Sequence, residues 1–160
     1  MPLLPPATLG ASRSAQQVLR FAYGERENSL QCALTVTPQS ISLIGFNGLG
    51  LRLFSLRYDG VKVSGERAPG VPEQVDPQRI LADVQLALWP LAALQEKAAG
   101  TAWIISEPFA GTRRVRRGDK LIAEIHYADA DAHYDPWNGR LWLANFEFGY
   151  SVNVSSQILE

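Results

Sequence analysis

Cysteine is nearly absent from this chain. Cys32 stands alone, which excludes an intramolecular disulfide and any zinc site built from cysteines only. Charge of either sign is also scarce. Charged residues make up 19% of the sequence, and 15 Lys and Arg against 16 Asp and Glu leave a net charge of −1. No overall field therefore draws the chain to nucleic acid or to an acidic membrane. No apolar run reaches the roughly 18–20 residues that span a bilayer. The opening Met1-Pro2-Leu3-Leu4-Pro5-Pro6 has neither the charged start nor the apolar stretch of a secretory signal. Local catalytic signatures are missing too: there is no Gly-x-Ser-x-Gly turn, no His-Glu-x-x-His and no phosphate-binding loop. An enzyme would need a Ser–His–Asp trio assembled only in space, so the chain is read as non-enzymatic. No cofactor is expected.

What is present is a chain of 160 residues, long enough for one domain with a sizeable core, and 46% hydrophobic. Residues 1–13 read as a flexible leader, because the prolines near its start disfavour helix and sheet. Residues 14–160 form the domain. Residues 14–23 predict a short helix, capped by Ser14 and ended by Gly24. From there the pattern is mostly β. Leu30, Cys32, Leu34 and Val36 alternate with polar or small residues, as in a half-buried strand, which places Cys32 on the apolar face and makes it buried and inert. Residues 40–46 and 51–58 predict hairpin arms around Asn47-Gly48, two residues that tolerate φ > 0. Asp59-Gly60 predicts a second hairpin into residues 61–64, followed by a loop over 66–74.

Residues 76–99 carry the one long helical pattern, with Asp76 as N-cap and Pro77 in the first turn. Ile80, Leu81, Val84, Leu88 and Leu91 recur at helical spacing, and Leu86, Trp89 and Leu94 widen the apolar face, so the helix is expected to be buried on several sides. Pro90 must divide it into two pieces. Strands are predicted at 101–108, 112–117, 119–127, 140–145 and 149–155, with a polar loop over 128–138. Hairpins join nearly everything, so the sheet is antiparallel. Leu53-Phe54, Leu121-Ile122 and Leu141-Trp142 are apolar on both faces. A sheet with one wet face does not need that; a curled sheet around the helices, or a half-open barrel with an apolar interior, does. Such an interior can hold a ligand.

The hairpin tip is apolar where tips are normally polar: Phe46 and Leu49 flank the turn among three glycines. Either another element covers this tip or it touches something apolar.

The order of these segments resembles the LolB family of outer-membrane lipoprotein receptors in Gram-negative bacteria. It is closer still to uncharacterised LolB-like lipoproteins often encoded beside aryl polyene biosynthesis genes. The resemblance rests on Leu43-Ile44-Gly45-Phe46-Asn47-Gly48-Leu49-Gly50, with Gly48 where the family has proline, and on the strands at 51–58 and 61–64. It rests further on Asp76-Pro77-Gln78-Arg79-Ile80-Leu81 followed by Trp89-Pro90-Leu91-Ala92-Ala93-Leu94, the strand pair at 114–127, Asn145, and Tyr150-Ser151-Val152-Asn153-Val154. It covers residues 28–156 or so. It implies a mainly β fold with α, an unclosed antiparallel β-barrel of the LolA/LolB type with helices packed in the concave face. It also implies a lipoprotein on the periplasmic face of the outer membrane, held by a lipidated cysteine that precedes Met1 together with a signal peptide. In that family a leucine at the hairpin tip assists transfer into the bilayer, and Leu49 matches its position.

The expected function is binding or transfer of a hydrophobic or acylated molecule (a lipid, a lipoprotein acyl chain or a polyene lipid). The alternative is a scaffolding lipoprotein with no cargo. Phe54, Ile80, Val84, Leu88, Trp89, Leu91, Trp103 and Trp142 are the candidate cavity residues, with plain core packing as the competing role. Phe46 and Leu49 are the candidate membrane-contacting residues. Burying one leucine in lipid is worth about 1.5–3 kcal/mol, enough for transient touching but not for anchoring. Arg113, Arg114, Arg116 and Arg117 read as a solvated sheet edge. The spacing of His126 and His133 with Asp129, Asp131 and Asp135 is too irregular to predict a metal site. The expected partners are the cargo and the outer membrane, with no nucleic acid, and the chain is expected to be a monomer.

Overall fold

The computed structural model describes residues 1–71, 76–128 and 135–159. Ten strands among them form one antiparallel sheet in the order β5-β4-β3-β2-β1-β10-β9-β8-β7-β6. The first meander comprises β1 (Arg13–Tyr23), β2 (Arg26–Val36), β3 (Ile41–Phe46), β4 (Arg52–Tyr58) and β5 (Val63–Arg67). It runs outward from the sheet centre to one edge. Helices α1 (Pro77–Leu88) and α2 (Leu91–Ala98) then cross to the other edge. The second meander comprises β6 (Trp103–Phe109), β7 (Thr112–Arg117), β8 (Lys120–Tyr127), β9 (Arg140–Asn145) and β10 (Tyr150–Leu159), and it returns to the centre. There β10 pairs with β1 from Tyr23↔Tyr150 to Ser14↔Leu159. The sheet is unclosed, with β5 and β6 as its edges. This is the half-open architecture that the two-faced strands predict.

The helices form where expected. Asp76 caps α1 by accepting from Gln78 N at 3.1 Å, and Pro77 occupies the first turn, where a missing N–H costs nothing. Pro90 separates α1 from α2. From Ile80 to Leu88 every residue of α1 except Ala82 is buried, as the broad apolar face requires. The core lies between this helix and the concave face of the sheet. Each fully buried Leu, Ile or Val there contributes about 1.5–3 kcal/mol.

Residues 14–23 are not a helix but the greater part of β1. Ala15, Gln17 and Leu19 are buried in alternation with exposed neighbours. Val18, Leu19, Phe21 and Ala22 suit either periodicity, and ladders on both sides, to β2 and β10, decide it. Within residues 1–13, Leu4 and Pro6 are buried, Leu4 at 2% exposure, and Pro6–Leu9 forms a 3-10 turn. The expected loop after residue 64 starts later, since β5 extends to Arg67. Asn47 and Gly48 do not take positive φ; Gly50 does, at 80°. Asn47 organises this turn instead, its Oδ1 accepting from Leu49 N at 2.9 Å and from Leu51 N at 3.0 Å.

The arginine cluster is not a solvated edge either. β7 lies between β6 and β8. Three of its arginines pair with carboxylates: Arg113 with Glu107 at 2.9 Å, Arg114 with Glu124 at 3.1 Å and Arg117 with Glu147 at 3.0 Å. Arg113 is buried and donates through Nη1 to the carbonyls of Leu86 at 2.7 Å and Trp89 at 2.8 Å. These carbonyls end α1 and have no partner within the helix, so a strand side chain caps the helix.

Candidate ligand-binding slot

The inward residues of three adjacent central strands form a trough. β1 contributes Gln17, Leu19 and Phe21, β10 contributes Val152 and Val154, and β9 contributes Leu141 and Leu143. Strand alternation puts these on one face. Over the trough lies one face of α1, made of Ile80, Asp83, Val84, Ala87 and Leu88. Between them is a slot with a cavity volume of about 20 Å³, room for one water-sized body. A second cleft of about 20 Å³, lined by Tyr23, Asn28, Asp76, Arg79 and Tyr150, shares Phe21 and Ile80 with the first and opens at the N-terminal end of α1.

Two polar groups break the apolar lining. Gln17 donates through Nε2 to Ser156 Oγ at 3.0 Å, while its buried Oε1 has no protein partner. The Asp83 carboxylate accepts from the Tyr150 hydroxyl, which in turn accepts from Asn145 Nδ2 at 3.3 Å. Burial pushes Asp83 up to about 7, against the lowering effect of the Tyr150 hydrogen bond and the Arg79 charge. Burial and the Asp83 carboxylate together push the Tyr150 hydroxyl up as well. Arg79 lies 3.8 Å over the Phe148 ring, near the cleft mouth. The arrangement suits an apolar ligand body with its polar end toward Asp83 and Arg79.

Of the candidate cavity residues, Ile80, Val84 and Leu88 line the slot. Phe54 is buried elsewhere, its ring filling the space above Gly45. Trp89 is buried on the opposite side of α1, where Nε1 donates to Thr8 Oγ1 at 2.9 Å. Leu91 and Trp103 are half-buried, Leu91 opening α2 and Trp103 beneath the Arg117 guanidinium at 5.3 Å. Trp142 is 38% exposed and lies against His126, ring centroids 5.4 Å apart. At the β3–β4 tip Leu49 is 87% exposed and Phe46 half-buried. Gln17, Leu19, Phe21, Asp83, Ala87 and the β9 and β10 residues of the slot are absent from the sequence-derived set. The alternation of Leu141 with Leu143 and of Val152 with Val154 was a usable signal for the last four; nothing local marks Gln17.

Asp129, Asp131 and His133 lie outside the described residues. His126 bonds Glu124 at 2.7 Å and Asp135 pairs with Arg13 at 2.9 Å. Among the described residues no three His, Cys, Asp or Glu converge on a metal-sized site. Burial pushes the Cys32 thiol up to about 12, which keeps it protonated and unreactive. No described helix is long and apolar enough to cross a membrane.

A family model described as "Protein of unknown function (DUF3261)" matches residues 14–157. No curated protein matches the chain. Among solved structures, a LolA superfamily protein from Nitrosomonas europaea superimposes with a TM-score of 0.54 at 8% identity, covering 98% of this chain and 92% of that one. A DUF1329 family protein from Desulfovibrio piger gives a TM-score of 0.41 at 9% identity, over 95% and 87% of the two chains. The first likeness shows the fold, a LolA-type open sheet with helices on its concave face.

Proposed function

We propose that this chain, which belongs to the DUF3261 family, binds a hydrophobic or acylated molecule between α1 and the concave sheet, by burial and without covalent chemistry. The observation that carries the reading is the slot: one face of a helix laid over a trough whose walls come from three strands, apolar apart from Gln17 and Asp83. Apolar burial supplies the affinity in such a site, and a few polar groups fix orientation. The fold it shares with a LolA superfamily protein supports the same reading by analogy only.

In this proposal the chain is a lipoprotein of the LolB-like kind on the periplasmic face of the outer membrane. The exposed Leu49 tip touches lipid while cargo is exchanged. The cargo is a lipid, a lipoprotein acyl chain or a polyene lipid. A scaffolding role, in which the slot is plain core, is the second reading, and the small cavity of about 20 Å³ favours it. Native mass spectrometry of the protein purified from its own membrane separates the two. A carrier retains lipid-sized adducts that vanish on delipidation; a scaffold shows the bare chain mass alone.

A further inference from the structure

The slot is much smaller than the roughly 300–1,000 Å³ of a ligand-filled pocket, at about 20 Å³. Any sizeable ligand therefore requires α1 to move, and with the sheet beneath it the helix can move only outward. At about 100° per residue, the outward face of α1 is the one opposite Ile80, Val84 and Ala87, and carries Gln78, Ala82, Gln85 and Trp89. The chain's first residues cross this face. The Gln85 amide, itself buried, clasps one residue from both sides: Nε2 donates to Leu4 O at 2.8 Å and Oε1 accepts from Leu4 N at 2.9 Å. One turn on, Trp89 Nε1 donates to Thr8 Oγ1 at 2.9 Å. Leu4 is buried, and Met1, Leu3 and Leu9 pack against the core on either side. Pro6 approaches Gly60 in the β4–β5 turn. The segment thus runs along the outward face of the helix.

We propose that residues 1–9 are an intramolecular strap that holds α1 down on the sheet and must release before a ligand enters the slot. The gating half of this rests on the ligand-binding reading above; the holding half does not. Arg113, Tyr127 and Tyr150 hold α1 from the sheet side, and they need not break for the strap to lift. The strap's hold comprises two hydrogen bonds to the Gln85 amide, one from the Trp89 indole, the buried Leu4 and Pro6, and the partly buried Met1, Leu3 and Leu9, a small set whose release can be local.

The test uses the full chain with Leu4→Asp, which places a charge in the strap's buried position and leaves every slot residue intact. Thr8→Val is the milder second variant, should the first fail to fold. Hydrogen exchange reads the α1 amides, and cis-parinaric acid is the probe for entry. Strap release makes α1 amides exchange about tenfold faster or more, with β1 and β10 unchanged, and tightens cis-parinaric acid binding by about threefold or more. Unchanged α1 exchange in the folded variants overturns the strap, whatever the probe does. Faster exchange with equal or weaker probe binding overturns the gate. Faster exchange with no probe binding by any form, wild type included, defeats the ligand-binding reading and the gate with it, while the strap's hold on α1 stands.

Discussion

Tyr150 on β10 donates its hydroxyl to the carboxylate of Asp83 on α1, joining helix and sheet through the single buried acid of the described helix. The aspartate lines the slot, and the Arg79 charge acts on it. Burial raises it from the ordinary 3.8 to about 7. Between those values the unfolded chain releases the proton and the folded chain keeps it. Stability from this group is therefore complete below 3.8 and is lost as pH rises toward and through about 7. The loss is on the order of 4 kcal/mol. Asp83→Asn keeps an acceptor for Tyr150 and removes the titration. Urea unfolding across this range should show wild-type stability falling with rising pH and the Asn variant flat. A wild-type profile that rises with pH is the contrary result.

Arg113 predicts a large local effect. Arg113→Met leaves the Leu86 and Trp89 carbonyls uncapped and Glu107 unpaired. The expected cost is about 2–4 kcal/mol in chemical denaturation. Arg114→Met, whose partner pair is partly exposed, should cost about 1 kcal/mol or less. Equal losses at the two positions would mean that Arg113 behaves as a surface charge.

Gly45 and Phe54 occupy one space. A Cβ on Gly45 would lie 2.6 Å from Phe54 Cζ, so Gly45→Ala should destabilise by about 1–3 kcal/mol. Phe54→Leu should cost a comparable amount alone and less in the Gly45→Ala background. Strict additivity in that double-mutant cycle would show that the ring is not what excludes the methyl.

Leu49 is the test of the hairpin tip. At 87% exposure, Leu49→Glu should change stability by less than about 0.5 kcal/mol and yet weaken co-sedimentation with liposomes. Unfolding of this variant, or undiminished liposome contact, contradicts the proposed role.

The sequence made the helices and most hairpins legible because their signals are local: Asp76-Pro77 starts α1, Pro90 divides it, and Asp59-Gly60 turns the chain. It misled where long-range pairing decides. Residues 14–23 satisfy a helical pattern, and only their pairing with β2 and β10, through contacts such as Gln17↔Cys32 and Gln17↔Ser156, makes them a strand. The prolines of residues 1–13 speak against regular structure but say nothing about packing; Leu4 is buried because Gln85, far along the chain, receives it. Arg113 is unremarkable among its arginine neighbours until carbonyls of α1 meet it. The slot was legible only from its helix side, through Ile80, Val84 and Leu88. Alternation marks the inward residues of the opposing strands, but topology sets which strands lie under the helix, and residue spacing does not reveal that.

The most direct test of the account is a titration of delipidated protein with a fluorescent fatty acid, wild type against Ala87→Leu. Ala87 faces the slot, so leucine crowds the cavity from the helix side, at a cost of about 1–3 kcal/mol in stability. The account predicts saturable binding by the wild type and affinity weakened about tenfold or more in the variant, roughly 1.4 kcal/mol. No saturable binding by the wild type, or equal affinity in the two proteins, would contradict it.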